Sequence, residues 1–357
     1  MTKVFTIVGA RPQFVKAAAL SRAFQKLNLK EVLVHTGQHF DKNMAEIFFS
    51  QMDIPVPKYN LGIHSLSHGA MTGRMIEELE NVILQEHPSV VVVFGDTNST
   101  LAGALAAKKL LIPIAHVEAG LRSYNMSMPE EVNRIVTDRI SDFLFAPTSR
   151  AMQNLEMEGF KNFNVKIENT GDIMYDVALY YSKSSTGGST IVQYLPEGKP
   201  IILATIHRQE NTDNLERLGS LVGTFNELSK RYDIILPLHP RTRRILEEQH
   251  LKLSFDPLEP VGYFDMIELL KRCSFVITDS GGLQKEAYFF KKHCIVIRDE
   301  TEWTELVDLG YNYVVGTDQE AILNQATAIM ESESDFSEMP YGDGSAADKI
   351  AAILKNI

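Results

Sequence analysis

Arg11 and Lys16 fall in Gly9-Ala10-Arg11-Pro12-Gln13-Phe14-Val15-Lys16, directly after an apolar run that ends at Val8. A glycine for a tight turn, a proline suited to a helix start and two cations make an anion site there. The helix N-terminus offers N–H groups and a positive dipole, Arg11 a bidentate fork and Lys16 a point charge; the plainer reading is a solvated basic patch. Asp96 and Glu118 each follow another apolar run, in Gly95-Asp96-Thr97-Asn98 and Glu118-Ala119-Gly120-Leu121-Arg122. Such carboxylates commonly cap helices; with the acidic cluster that follows they make three near one anion site, which looks like acid–base equipment beside a leaving group. Pro129-Glu130-Glu131-Val132-Asn133-Arg134 adds a third acid, Glu130, spaced to pair with Arg134 at i,i+4. This helix reads apolar at Val132, Ile135, Val136 and Ile140.

In the second half, Ile206-His207-Arg208-Gln209-Glu210-Asn211 puts an imidazole beside a guanidinium. Thr278-Asp279-Ser280-Gly281-Gly282 runs from an apolar segment into a helix. Ser280 and the glycine N–H groups read as a phosphate nest, and Glu286 one turn on can reach the vicinal hydroxyls of a ribose. The plain alternative for Glu286 is an exposed helical acid.

The elements that must position these groups alternate. Val4–Val8, Glu31–His35, Val90–Phe94 and Ile112–Val117 are strand-length and apolar, and helical patterns separate them over 12–27, 71–85 and 97–110. Strands apolar throughout are buried on both faces, as in a parallel sheet flanked by helices. The alternation pauses at 182–199, where Ser, Gly and Pro collect, and restarts with Ile201–Thr205, Ile234–Leu238, Phe275–Thr278 and Cys294–Ile297. The expected fold class is α/β, with two doubly wound Rossmann-like domains over 1–170 and 171–340 and a terminal helix within 341–357. Ligands of such folds bind outside the carboxyl ends of the strands, where the residues above lie.

Composition excludes several function classes. Lys and Arg total 35 against 46 Asp and Glu, a net charge of −11, which disfavours nucleic acid as a general partner. The longest apolar runs are strand-length, so no membrane span is expected. Two cysteines, Cys273 and Cys294, allow neither a disulfide framework nor a four-cysteine zinc site. His116-Val117-Glu118 lacks the P-C-x-x-C partner of a zinc deaminase, so no metal is expected. With no secretory signal pattern, the expected location is the reducing cytoplasm. Neither G-x-G-x-x-G after a strand nor a P-loop is present, so the sequence calls for no NAD or other cofactor.

GARPQFVK, GDTNST, HVEAGLRS, MPEEVNR, IHRQEN and TDSGGLQKEA occur in an order and spacing that resembles the non-hydrolysing UDP-N-acetylglucosamine 2-epimerase family over nearly the whole chain. The resemblance implies a GT-B type architecture with a central cleft for a UDP-sugar substrate. It implies Asp96, Glu118 and Glu130 as catalytic carboxylates and His207 as an acid–base or leaving-group contact. Arg11, Lys16, Arg134 and Arg208 would then serve substrate or phosphate, Ser280, Gly281 and Gly282 the diphosphate, and Glu286 the ribose. The implied chemistry is loss of the C2 proton as UDP leaves, giving a 2-acetamidoglucal, then return of UDP with protonation on the other face. Gln38, His39 and Arg74 resemble part of an effector site at which some members bind UDP-N-acetylglucosamine, and a homodimer is typical.

Gln13 stands where the family commonly has Glu, and Trp303-Thr304-Glu305 where many members have RPE. These departures resemble the branch acting on modified sugars such as UDP-2,3-diacetamido-2,3-dideoxyglucuronic acid. Three rivals make different predictions: a hydrolysing epimerase releases UDP and free N-acetylmannosamine, a retaining glycosyltransferase needs an acceptor, and a binding protein turns nothing over.

Overall fold

The computed structural model describes residues 2–38, 55–184, 189, 191–196 and 198–357, with the side chains of Arg11, Ser184 and Tyr194 outside the description. The chain divides into two compact units, residues 1–177 with 340–357, and 178–339. Among the described residues, unit 1 holds β1 (Lys3–Val8), β2 (Lys30–His35), β3 (Tyr59–Asn60), β4 (Val90–Phe94), β5 (Ile114–Val117), β6 (Phe143–Ala146) and β7 (Lys166–Asn169) in the order β3-β2-β1-β4-β5-β6-β7. Unit 2 holds β8 (Ile201–Thr205), β9 (Asp233–Ile235), β10 (Phe275–Thr278), β11 (Cys294–Val296) and β12 (Asn312–Val314) in the order β12-β11-β10-β8-β9. Every pairing in both sheets is parallel.

These are the two common doubly wound orders. Their topological switch points fall between β1 and β4 and between β8 and β10, where adjacent connections leave toward opposite faces and open a crevice at the strand ends. The central strands bury both faces: Val4, Phe5, Val90–Phe94, Phe275 and Val276 are wholly inaccessible. Sequence reading missed the short strands β3, β6, β7 and β12: Lys166 and Glu168 break the apolar pattern of β7 and Asn312 that of β12, β3 is two residues long, and the wholly apolar β6 is four.

The terminal helix Ala346–Leu354 lies in unit 1. Asp176 accepts from the Ala346 and Ala347 N–H groups at 3.1 and 2.8 Å, Asp172 N donates to Tyr341 O at 3.0 Å, and Lys26 pairs with Asp348 at 3.0 Å. Tyr341 is fully buried where this returning segment crosses Gly171. Gly171 has φ +86°, and a Cβ there would sit 2.8 Å from Tyr341 O. Gly171→Ala therefore combines a left-handed backbone with a clash against main chain, and is expected to cost about 3 kcal/mol in denaturant unfolding.

No described helix is long and apolar enough to cross a membrane.

Candidate functional site

Helix Arg11–Lys26 starts at the end of β1. The sequence reading leaves its first N–H groups open to an anion; the structure occupies two N–H groups of this turn internally. The buried Gln13 Oε1 accepts from Gly9 N at 2.8 Å and Ala10 N at 3.0 Å, while its Nε2 donates to Phe94 O at 2.8 Å and to Thr97 Oγ1 and Thr100 Oγ1 at 2.9 and 3.0 Å. An amide both donates and accepts, so Gln13 stitches the ends of β1 and β4 across the switch point; an ionised Glu could not donate to Phe94 O. Lys16 is likewise engaged, ion-paired with Glu118.

Asp96 leaves the end of β4 with its carboxylate 2.6 Å from Arg134 Nη1. It does not cap the helix that follows: Thr97 does, accepting from Thr100 N. Glu118 leaves the end of β5 with φ +74°, a conformation unusual for a side chain of this size. Its N–H and that of Ala119 both reach Phe145 O at 3.1 Å, which fixes this kink. Burial raises the pKa of Asp96, and the charge of Glu118 raises it further; Arg134 and Lys16 oppose this and Glu130 adds to it. These five ionisable groups thus share one neighbourhood at the end of the unit 1 sheet.

Helix Pro129–Ile140 corrects two expectations. Arg134 pairs with Asp96 and, at 2.8 Å, with Glu131, so the i,i+4 partnership with Glu130 is replaced. Its buried residues are Glu131, Asn133, Thr137 and Asp138, whereas of the expected apolar face Val132 is exposed and Ile135, Val136 and Ile140 are only half-buried, Ile140 against the unit 1 core. Polar residues go inside because the strand ends supply partners: Glu131 accepts from Ser123 N and Tyr124 N at 2.8–3.1 Å, and Asn133 Nδ2 donates to Asp96 O at 2.8 Å. Glu130 is left exposed next to this buried face.

In unit 2, Asp279 is the hub. Fully buried at the end of β10, it accepts from His207 Nδ1 at 3.0 Å, from His207 N and Arg208 N at 3.0–3.2 Å, and from Asn211 Nδ2 at 3.1 Å. His207 itself is half exposed at the end of β8. Ser280 caps helix Gly281–Phe289 through Leu283 N, and Gly281 is so closely approached that a Cβ would meet Glu302 Oε1 at 2.6 Å. Gly282 is exposed at the helix start. Arg208 Nη2 lies 3.8 Å from Glu302, which Arg298 holds at 2.6 Å. Glu286 is partly buried rather than exposed, and burial pushes its carboxyl up to about 7, with Lys285 opposing. Trp303 donates its indole N–H to Gly281 O at 2.7 Å, and the Lys285 ammonium stands 4.4 Å over its ring.

Each unit thus assembles its own share of the named residues. The backbone of Arg11 opens its helix, while its side chain lies outside the described residues. Of the effector residues, Gln38 Oε1 accepts from Ser99 N and Oγ at 3.1 and 2.7 Å, Arg74 is exposed on helix His68–Glu86, and His39 lies outside the described residues. Sequence reading missed Gln13, Glu131 and Asp279 as organisers. The position of Asp279 at a strand end was a usable signal, as was Gln13 at the third helical position, spaced to cap its own helix; the Phe94, Thr97 and Thr100 partners of Gln13 and the Ser123 and Tyr124 partners of Glu131 come from other elements and left none.

Residues 22–355 match the family described as UDP-N-acetylglucosamine 2-epimerase. A Pseudomonas aeruginosa protein named UDP-2,3-diacetamido-2,3-dideoxy-D-glucuronate 2-epimerase is 52% identical, over 99% of this chain and 100% of its own length. Among solved structures, the Methanocaldococcus jannaschii UDP-GlcNAc 2-epimerase in complex with UDP-GlcNAc and UDP is similar with a TM-score of 0.84 and 40% identity over 100% of both chains. The Neisseria meningitidis UDP-GlcNAc 2-epimerase bound to UDP-GlcNAc gives 0.85 and 30%, again over 100% of both. With its two Rossmann-like units of GT-B type and a match that spans its length, the chain belongs to the non-hydrolysing UDP-N-acetylglucosamine 2-epimerase family, and is a UDP-sugar 2-epimerase and hence an isomerase.

Proposed function

We propose that the chain interconverts UDP-GlcNAc and UDP-ManNAc by elimination and re-addition of UDP, with the acid–base groups in unit 1 and the diphosphate and ribose contacts in unit 2. The observation that carries this reading is the pairing of Asp96, raised toward its protonated form, with Glu118 beside it, the latter ion-paired to Lys16. Two carboxyls in different charge environments divide acid and base roles. Glu118 takes the C2 proton, the C–H pair becomes the C1=C2 bond, and the C1–O pair leaves with UDP. Asp96 then delivers its proton to the opposite face of C2 as the diphosphate oxygen returns to C1. Arg208, the Ser280–Gly282 helix start and His207, held by Asp279, serve the departing diphosphate. Lys16 and Arg134 orient the two acids, and Arg11 and Glu130 complete the substrate contacts of unit 1.

A second substrate reading rests on the 52% identical Pseudomonas aeruginosa protein, whose named substrate carries a further acetamido group and a carboxylate. Proton NMR in deuterated water, without acceptor, separates the readings. UDP-ManNAc deuterated at C2 is the expected product from UDP-GlcNAc; exchange confined to the diacetamido uronate would move the assignment to that sugar, and accumulating UDP with free sugar would overturn the non-hydrolysing mechanism. The buried free thiols of Cys273 and Cys294 support a reducing compartment, the cytoplasm. The assembly expected from the family is a homodimer, which light scattering checks.

Glu286 must be ionised to accept from both ribose hydroxyls, yet its carboxyl sits near 7. Binding of UDP-GlcNAc, whose diphosphate diester does not titrate near neutrality, is therefore expected to expel a proton and to strengthen several-fold from pH 6 to pH 8. Calorimetry in buffers of different ionisation enthalpy reads that proton, and Glu286→Gln removes it.

A further inference from the structure

Behind the two candidate acids lies a charged cluster that the reaction as written does not use. Asp138, fully buried on helix Pro129–Ile140, places Oδ1 2.7 Å from His116 Nδ1 and accepts at Oδ2 from Gly120 N at 3.1 Å and Arg122 Nη1 at 2.7 Å. His116, also fully buried, sets Nε2 2.8 Å from Gly95 O. Arg122 closes the far side on Glu158, Nε to Oε1 at 2.6 Å and Nη2 to Oε2 at 2.8 Å.

The connectivity is specific. Gly95 immediately precedes Asp96, and Gly120 follows Glu118 by two residues. Both turns are glycine kinks with positive φ, at 62° and 78°, with Glu118 itself at 74°. Glycine adopts such angles without strain, but Glu118 at +74° persists only where its surroundings over-determine it. Beside the Phe145 O contacts of the Glu118 turn and the Asn133 contact of the Asp96 turn, one carboxylate ties the two together, the first directly through Gly120 N and the second through the His116 ring. The two ring nitrogens face Asp138 Oδ1 and Gly95 O, so the ring links the position of Asp138 to that of Gly95 O.

We propose that Asp138 is a positioning residue for the reaction: through His116 and Gly120 it sets the separation of the Asp96 and Glu118 carboxyls. This rests on the reading of those two groups as acid and base. Asp138 and His116 are too deeply buried to meet substrate, so their effect should fall on the chemical step rather than on nucleotide binding.

The test is a kinetic comparison of Asp138→Asn with the parent full-length protein, following C2 deuteration of UDP-GlcNAc or, if that sugar is not turned over, of the diacetamido uronate. An Asn amide turns its NH2 group either toward His116, replacing a carboxylate contact by a weaker neutral one, or toward the Gly120 and Arg122 donors, which then lose their acceptor, so one arm of the cluster is weakened either way. A displacement of the order of 1 Å in a reacting group costs about 100-fold, so kcat is expected to fall by about that factor, with KM and calorimetric UDP affinity within about threefold. A folded variant with kcat within about threefold of the parent would overturn the proposal. So would parallel losses in kcat and UDP affinity, which mark general disorder. Should Asp138→Asn fail to fold, His116→Gln decides on the same criteria, since its one amide nitrogen cannot reproduce the two separate ring nitrogens that reach Asp138 Oδ1 and Gly95 O. Asp96→Asn and Glu118→Gln are run alongside. If both keep turnover, the acid–base reading fails and takes this proposal with it; if both lose turnover while Asp138→Asn keeps it, only the positioning role fails.

Discussion

Asp96→Asn and Glu118→Gln should each leave a folded protein that binds UDP normally and turns over about 1,000-fold more slowly, within the range for loss of general acid–base catalysis. Both replacements keep shape. After Asp96→Asn the new amide oxygen can still accept from Arg134 Nη1, which lies 2.6 Å from the native carboxylate, and after Glu118→Gln the amide can still offer its oxygen to Lys16. What disappears is the ability to take or give a proton. The loss should appear in kcat with little change in KM, because the nucleotide contacts assigned to unit 2 are untouched. Single-turnover C2 exchange separates this from slow product release; normal exchange in either variant would remove that residue from the proton-transfer step.

The second large effect belongs to Asp279. Asp279→Asn puts an amide N–H group into a fully buried position that four donor groups now share: His207 Nδ1, His207 N, Arg208 N and Asn211 Nδ2. At least one donor contact is lost or reversed, and leaving a buried polar group unsatisfied typically costs about 1–3 kcal/mol. Urea unfolding should show a loss of about that size, and kcat should fall by about 100-fold as His207 and the Arg208 backbone lose their reference point. The pH dependence has a definite sign. Burial works to raise the Asp279 carboxyl, but the His207 contact and the two backbone N–H donors outweigh it and hold it below the ordinary value of 3.8. A group depressed in the folded state contributes stability that is complete above its unfolded pKa and is lost as the pH falls through its folded pKa. The parent should therefore lose this share of stability on acidification below about pH 4, and Asp279→Asn should have a flatter acid limb. A variant that unfolds at the parent's urea midpoint, with the same acid limb, would contradict the hub role.

The doubly wound architecture was legible because strands such as Val90–Phe94 are apolar at every position, which only a sheet covered on both faces tolerates. The candidate acids and phosphate contacts were legible because strand ends are where parallel α/β folds do chemistry, and Asp96, Glu118, His207 and Ser280 each follow an apolar run. The buried polar wiring was not. Helix Pro129–Ile140 has an apolar stripe in its sequence, yet it buries Glu131, Asn133 and Asp138 because their partners come from Ser123, Tyr124, Asp96, His116 and Gly120 on other elements. Periodicity measures the side chain's preference for water or oil and is blind to a partner brought in by the sheet. The docking of helix Ala346–Leu354 was hidden for the same reason, since its cap, Asp176, lies 170 residues away.

In the proposed reaction the bond between C1 and the diphosphate breaks and re-forms in every turnover. This is tested most directly with UDP-GlcNAc carrying oxygen-18 in the bridge between C1 and the β-phosphorus, or with the equivalently labelled diacetamido uronate if that is the sugar turned over. Free rotation of the departed β-phosphoryl group predicts that the label moves into non-bridging positions, visible as an isotope shift by phosphorus-31 NMR, in parallel with deuterium entry at C2. Epimerised, deuterated product with all of its label still in the bridge would rule out elimination of UDP, because C2 would then have been inverted with the C1–O bond intact.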